Sequence, residues 1–156
     1  QAIEWLSLEA DDRVLDLFCG LGNFSLPIAK QVDSVVGVEG LQSMVSKAAY
    51  NAKVNNINNA EFYQADLNST WTGSPWLNTT YNKVLLDPAR AGAYEAISEL
   101  LHLNIPHIVY VSCDPASLAR DSELLINKGY VIEKIAIMDM FAQTKHIETM
   151  VLYKKK

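Results

Sequence analysis

The sequence predicts an open α/β sheet with helices on both faces, and two observations support this prediction. Short apolar runs of strand length alternate along the chain with helix-like segments. Parallel strands need crossover connections, and the repeated strand-helix order supplies them. The last two strand-like runs have no helix between them, so we expect an antiparallel hairpin. The prediction is a seven-stranded, mostly parallel sheet with a C-terminal antiparallel hairpin.

The individual elements follow from the apolar runs and the turn residues between them. The strand-like runs are RVLDLF, SVVGVE, AEFYQA, KVLLD, HIVYVS, YVIEKIAIMD and ETMVLY. A polar loop containing tryptophans, 68–82, separates the third and fourth runs, and Gly129 ends the last helix. The predicted elements, in chain order, are strand 13–18, helix 24–30, strand 34–39, helix 42–55, strand 60–65, strand 83–87, helix 93–103, strand 107–112, helix 116–128, strand 130–139 and strand 148–153.

Composition indicates one folded domain. The chain has 156 residues, of which 49% are hydrophobic and 20% charged, so it can bury a single core. A net charge of -5 disfavours strong binding to nucleic acid by this domain alone, because such affinity comes from neutralising phosphates. No apolar run approaches the roughly 20 residues of a membrane helix. Two distant cysteines and no recognisable leader predict free thiols in the cytoplasm.

The strongest ligand signal is DLFCGLGNF, a strand that runs into a glycine-rich turn and a helix. In open α/β sheets, ligands bind outside the carboxyl ends of the strands, and glycines such as Gly20 allow close approach to the backbone. A dinucleotide fingerprint needs a third glycine where this chain has Ser25, so the turn suits a nucleoside with an amino-acid tail, such as S-adenosylmethionine. Glu39 is placed to accept both ribose hydroxyls, and Asp66 to accept the adenine amino group.

A second motif, LLDPARAG at 85–92, lies at the end of the fourth strand. Pro88 fixes the backbone after Asp87, so we expect the carboxylate to point off the sheet edge. A cap of the following helix is the alternative role for Asp87. Arg90 has no clear role and reads as a solvated loop residue.

Cys113 directly follows the fifth strand, and Glu148 begins the last one. If the last strand inserts antiparallel beside the fifth, as is usual in this class of sheet, the thiol and the carboxylate become neighbours. A thiolate nucleophile with a carboxylate base suits methyl transfer to carbon 5 of a pyrimidine. Cys19, inside the glycine turn, is expected to be a buried hydrophobic residue. Three histidines, His102, His107 and His146, lack metal-ligand spacing, so no metal site is predicted.

Together the motifs DLFCGLGNF, VVGVEG, LLDPARAG, VSCDPASLARD and HIETMVL resemble the catalytic domain of the RNA uracil-5-methyltransferases, with the pattern most similar to the bacterial 23S ribosomal RNA branch. The resemblance runs from Asp12 onward and implies a Rossmann-like class I methyltransferase fold with S-adenosylmethionine as methyl donor. It implies that Cys113 is the nucleophile and Glu148 the base. Residues implied to line the donor and base pocket are Phe18, Asn23, Glu39, Asp66 and Asp87.

Departures from the family pattern are small. Asp114 stands where asparagine is common, Ser117 where threonine is common, and Asp66 at a position that accepts an amide in relatives. Full-length members have an N-terminal OB-like RNA-binding domain, a central domain and often a cysteine-ligated iron-sulfur cluster. The resemblance therefore implies that 1–156 is the catalytic domain of a larger protein whose missing parts bind most of the RNA substrate.

Several alternatives remain open from sequence. The substrate could be transfer RNA rather than ribosomal RNA. An adenine or amide N-methyltransferase is disfavoured because Pro88 is followed by Ala89 and not by a second proline and an aromatic residue. An NAD-dependent oxidoreductase is disfavoured by Ser25, and a non-catalytic scaffold on the same fold is a further possibility.

Overall fold

The computed structural model describes residues 1–138 and 148–156. The sheet has seven strands in the order β3-β2-β1-β4-β5-β7-β6. Strands β1 to β5 are parallel, and β7 runs antiparallel to both of its neighbours. In chain order the strands are β1 (Arg13–Leu17), β2 (Ser34–Glu39), β3 (Ala60–Gln64), β4 (Lys83–Leu86), β5 (His107–Ser112), β6 (Tyr130–Met138) and β7 (Glu148–Lys155). This confirms the predicted sheet, its hairpin and the insertion of the last strand beside the fifth.

In the described part of the chain, five helices cover the two faces. Successive strand residues point to opposite faces, so each buried strand feeds two cores. Leu15 and Leu17 join the core under α4 and α5, while Val14 joins the core under α1, α2 and α3. The helices are α1 (Ala2–Leu6), α2 (Ser25–Ala29), α3 (Gln42–Val54), α4 (Tyr94–Leu100) and α5 (Pro115–Asn127), with 3-10 turns at Pro75–Asn78 and Leu101–Leu103.

Most differences from the sequence prediction lie at element ends. The first strand stops at Leu17 because Phe18 adopts a left-handed backbone, with φ of 62°, and starts the turn. The helix predicted over 93–103 divides into α4 and a 3-10 turn, and the last strand continues to Lys155. Helix α1 was not predicted. Its five residues are too few to show a helical period, and its place depends on burying Leu6 against the sheet.

Some predicted features lie outside the described residues. Asp139, the predicted end of the sixth strand, and His146 are among them. Within the described residues, no helix is long and apolar enough to cross a membrane. Nor does that part of the chain contain a group of three or more His, Cys, Asp or Glu side chains that could hold a metal ion.

Candidate active site at the carboxyl edge of the sheet

The glycine turn after β1 is held by a carboxylate from the next strand. Glu39, at the end of β2, accepts hydrogen bonds from the backbone N–H of Gly20 and of Leu41, each at 3.1 Å. Gly20 has a φ of 55° and open space where a side chain would stand. Because the turn is left-handed and open, a ligand can approach its backbone closely. Glu39 therefore fixes the turn and lies at its mouth.

Beneath this turn, Asp16 on β1 is fully buried. Ser25 Oγ donates to its Oδ2 at 2.5 Å, while its Oδ1 has no hydrogen-bond partner among residues 1–138 and 148–156. Burial raises the pKa of Asp16 to about 7, with the bond from Ser25 opposing this rise and the negative charges of Asp87 and Glu39 adding to it. A buried, unpartnered carboxylate oxygen beside an open turn suits a cationic ligand group.

Sequence reasoning did not select Asp16 as a site residue, although it begins the motif. Its signal is an acidic residue in the middle of a buried strand, RVLDL, where an unpaired charge is costly. Cys19 in the same turn is buried, and this burial raises its pKa further above the usual range. That environment is unsuited to a reactive thiolate and agrees with the expected structural role of Cys19.

The remaining donor-site candidates occupy the same edge with different environments. Phe18 is half-buried and Asn23 exposed in the turn that follows β1. Asp66 is exposed beyond β3, and its carboxylate accepts from Asn68 N–H at 3.0 Å and Ser69 Oγ at 2.9 Å. These bonds lower the pKa of Asp66 and hold a local turn. The contact of Asp66 with an adenine group stays a prediction.

Asp87 follows β4 at the centre of the edge, and its N–H donates to Leu17 O at 3.4 Å. Although the residue is exposed overall, the surrounding protein partly desolvates its carboxylate. That desolvation and, secondly, the negative charge of Glu148 raise the pKa of Asp87 to about 6. The helix cap suggested for Asp87 is not seen: α4 has no side-chain cap, and the N–H of Ala93 donates instead to Asp121.

Cys113 and Glu148 come from segments far apart in sequence. Strands β5 and β7 pair antiparallel, and Ser112 opposite Thr149 is the last pair at this edge. Cys113 and Glu148 are the next residue on each strand, and both are half-buried. The fold therefore brings the thiol and the carboxylate to one edge, beside Asp87, as the strand order predicted.

The turn that holds Cys113 is tightly bonded. Ser112 Oγ accepts from the N–H of Asp114 at 3.1 Å, and Asp114 caps α5 by accepting from Ser117 N–H at 2.9 Å. Asp114 thus performs the cap that asparagine would also provide, so this departure from the family pattern leaves the turn intact. Arg90, 3.7 Å from Asp114 Oδ1, is otherwise exposed and contributes little to the turn.

Comparison with known proteins adds independent findings. The family model described as tRNA (Uracil-5-)-methyltransferase matches residues 1–69 and 76–156. The 23S rRNA (uracil(1939)-C(5))-methyltransferase RlmD of Colwellia psychrerythraea is 61% identical over 98% of this chain, and the RlmD of Psychromonas ingrahamii is 56% identical over 98%. The chain spans only 33% and 35% of the length of these two relatives.

Solved structures agree on the fold. The tRNA (uracil-54, C5)-methyltransferase of Pyrococcus abyssi, crystallised with S-adenosyl-L-homocysteine, matches with a TM-score of 0.80 and 30% identity over 97% of this chain and 36% of its own. Magnesium protoporphyrin IX methyltransferase of Synechocystis matches with a TM-score of 0.75 over 99% of this chain and 76% of its own. At 19% identity, the second match supports the Rossmann-like methyltransferase fold alone.

Proposed function

Because this chain belongs to the tRNA (uracil-5-)-methyltransferase family, we propose that it is the catalytic domain of an enzyme that transfers a methyl group from S-adenosylmethionine to carbon 5 of a uridine in 23S ribosomal RNA. The observation that carries the proposal is the insertion of β7 beside β5, which brings Cys113 and Glu148 to the edge that holds the glycine turn. Ribosomal RNA is favoured because the RlmD relatives are 61% and 56% identical.

The proposed donor site consists of Asp16, Gly20 and Glu39. S-adenosylmethionine supplies a methyl group on a positively charged sulfur and carries an ammonium group. The unpartnered oxygen of Asp16 is suited to that positive charge, and Glu39 can accept ribose hydroxyls with the lone pairs its two backbone bonds leave free. Phe18, Asn23 and Asp66 complete the pocket in this proposal.

Cys113 opens the reaction. Carbon 5 of uracil is a weak nucleophile, so the Cys113 thiolate adds to carbon 6 and makes the ring an enolate. Carbon 5 of the enolate then attacks the methyl carbon of the donor, the bond from that carbon to the positively charged sulfur breaks, and the neutral thioether leaves. Glu148 then removes the proton from carbon 5, and the electron pair breaks the bond between carbon 6 and sulfur, which regenerates the thiolate.

Asp87 is proposed to select the base. When ionised, its carboxylate only accepts hydrogen bonds, which matches the N3–H of uracil and not the bare N3 of cytosine. With a pKa of about 6, the carboxylate is mostly ionised at neutral pH and increasingly protonated below pH 6. Recognition of uracil should therefore weaken as the pH falls through 6.

We propose that the rest of the longer protein supplies most of the RNA binding. This chain carries a net charge of -5 and spans about a third of the length of its RlmD relatives. Taking a uridine out of its stack costs a few kcal/mol, which contacts beyond this domain would offset. We expect the 156-residue chain to methylate RNA poorly by itself. An iron-sulfur cluster, if present, would belong to the other domains, and the enzyme would work in the cytoplasm.

A transfer RNA uridine is the second candidate substrate, because the Pyrococcus abyssi relative acts on uracil 54 of tRNA and the family model is named for tRNA. One experiment separates the two. A strain lacking the full gene is complemented with the wild type or with Cys113→Ala, and ribosomal and transfer RNA are both analysed by mass spectrometry for 5-methyluridine. Loss of 5-methyluridine from 23S RNA, restored only by the wild type, supports the proposal; loss from transfer RNA alone overturns the choice of substrate.

A further inference from the structure

The loop that carries Asp87 is held at both ends. At its start, the N–H of Asp87 donates to Leu17 O. At its far end it is held by residues that take no part in the mechanism proposed above. Asp121, on α5, is completely buried. Its Oδ2 accepts from Ala93 N–H at 2.6 Å and from the Tyr110 hydroxyl at 2.7 Å. One carboxylate therefore joins α5 to strand β5 and to the segment after β4.

Arg120 completes this connection. Its Nε and terminal nitrogen donate to Asp121 Oδ1 at 2.9 and 2.8 Å, and the same terminal nitrogen donates to Ala91 O at 2.9 Å. The guanidinium thus satisfies the second oxygen of the buried carboxylate and also holds the loop backbone. Helix α5 begins two residues after Cys113, so these contacts link the loop of Asp87 to the helix that follows the nucleophile.

Close packing shows how little freedom the loop has. Gly92 has a φ of 82°, and a Cβ there would lie 2.6 Å from Asp121 Oδ2 and 2.9 Å from Ser117 Cβ. Its N–H also donates to Ala89 O at 2.9 Å. Any residue larger than glycine would push the loop away from α5.

We propose that Asp121 and Arg120 are positioning residues that clamp loop 87–93 onto α5 and thereby set the place of Asp87 relative to Cys113. The role in catalysis rests on the proposed function, whereas the clamp itself does not. The aspartate would act through the loop backbone and not by touching RNA or donor. A displacement of about 1 Å at a reacting group can cost on the order of 100-fold in rate, so a small loosening of the loop is expected to slow methyl transfer measurably.

The test compares Asp121→Asn with Asp12→Asn in the full-length protein. Asp12 is the matched control: it is also buried, and it bonds Lys83 and Asn82 at the opposite end of the sheet. Three quantities are measured: amide hydrogen exchange over 87–93, the single-turnover rate of methylation at saturating RNA and donor, and the dissociation constant of S-adenosylmethionine.

For Asp121→Asn we expect about 10-fold faster exchange over 87–93 and a rate lowered about 10- to 100-fold, with the dissociation constant of the donor nearly unchanged. Asp12→Asn should lower the melting temperature but leave exchange over 87–93 and the single-turnover rate at the wild-type level. Unchanged exchange in Asp121→Asn, or equal slowing by both variants, would overturn the clamp.

Two further variants keep the test decisive if Asp121→Asn folds poorly. Arg120→Lys retains the charge of a half-exposed side chain but replaces the planar fork, whose Nε and terminal nitrogen both bind Asp121 Oδ1, with a single ammonium nitrogen. Gly92→Ala displaces the loop while leaving Asp121 intact. Both should raise exchange over 87–93 and slow methyl transfer; wild-type values in both would contradict the clamp. If the wild type itself methylates no uridine, the proposed function fails, while the exchange data still decide the clamp.

Discussion

The neighbouring strands β1 and β4 have Asp12 at their shared amino end and Asp16 and Asp87 toward their carboxyl end. The two ends differ in the hydrogen bonds and charges that surround these carboxylates. At the amino end, Asp12 lies 2.6 Å from Lys83 Nζ and accepts from Asn82 at 2.6 Å and from Glu9 N–H at 2.7 Å. Burial alone would raise the pKa of Asp12, but the hydrogen bonds and the charge of Lys83 lower it. This end is a closed, stabilising site.

At the carboxyl end, the carboxylates of Asp16 and Asp87 lack cationic partners among the residues described. Asp16 has one bond and one bare oxygen, and the pKa values of both groups are raised, to about 7 and about 6. A stable fold alone gives no reason to keep such groups. The difference agrees with the proposal that the carboxyl end binds ligands, whereas the charges at the amino end pair with one another and stabilise the fold.

Variants of Cys113 and Glu148 should have the largest effects, and those effects should fall on function alone. Cys113→Ala in the full-length enzyme should form no covalent complex with RNA, because no other group on the edge is proposed to attack carbon 6. Glu148→Gln should transfer one methyl group and then remain attached to RNA, since addition and transfer need no base. A denaturing gel with labelled RNA distinguishes them. Wild-type turnover by Glu148→Gln, or an adduct with Cys113→Ala, would contradict these roles.

Exchanging one carboxylate at each end should separate stability from activity. Asp12→Asn leaves Lys83 without its charged partner and should cost about 3 to 5 kcal/mol of unfolding free energy. Asp87→Asn should change stability little but lower methylation about 100- to 1000-fold, because a neutral amide replaces the charged acceptor for the N3–H of uracil and its N–H₂ can instead pair with the bare N3 of cytosine. Urea unfolding and single-turnover assays on both variants measure the contrast. A lower unfolding free energy for Asp87→Asn than for Asp12→Asn would contradict this separation of stability from activity.

Donor binding should depend on Glu39 and not on Cys113. Glu39→Ala removes the acceptor for the N–H groups of Gly20 and Leu41 and for the proposed ribose contacts. Losing these bonds should cost about 1.5 to 3 kcal/mol of binding free energy, which lowers the affinity for S-adenosylmethionine roughly 10- to 100-fold. Cys113→Ala should bind the donor as the wild type does. Titration calorimetry on both proteins provides the measurement, and equal affinities would remove Glu39 from the donor site.

The last prediction concerns the pH dependence of stability. The pKa of Asp16 is about 7 in the folded chain against an ordinary value of 3.8, so between these values the folded state binds more protons than the unfolded state. Its contribution to the unfolding free energy is therefore largest at low pH and declines as the pH rises to 7. Asp16→Asn should remove this decline, raising the melting temperature relative to the wild type more at pH 8 than at pH 5. The same difference in melting temperature between the two proteins at pH 5 and at pH 8 would contradict the raised pKa of Asp16.

Local pattern was enough to predict the sheet, because apolar runs of strand length and their order determine the crossovers. Strand direction also placed the start of β7 at the ends of the parallel strands, and the strand order usual for this class of sheet, which the structure confirms, placed Cys113 and Glu148 side by side. The roles assigned to these two residues remain predictions.

The features that sequence missed depend on distant partners. Asp16 lies in an apolar strand and Asp121 in a mixed helix. Their neighbours in the sequence do not show that one oxygen of Asp16 has no partner among the described residues, or that Asp121 accepts bonds from Ala93, Tyr110 and Arg120. Such differences arise from contacts between residues far apart in the chain. Helix α1 escaped notice for the same reason, because its stability comes from burial of Leu6 against the sheet.

The place of β7 also determines when this domain can be completed during synthesis. β7 is made after the other six strands of this sheet, yet it lies between β5 and β6. Until it emerges, both neighbours have unpaired edges that are open to wrong pairing. Its arrival closes the sheet and delivers Glu148 beside Cys113 in the same step. A nascent chain therefore carries the proposed nucleophile before the proposed base has emerged, and the strand that closes the sheet also brings the two residues together.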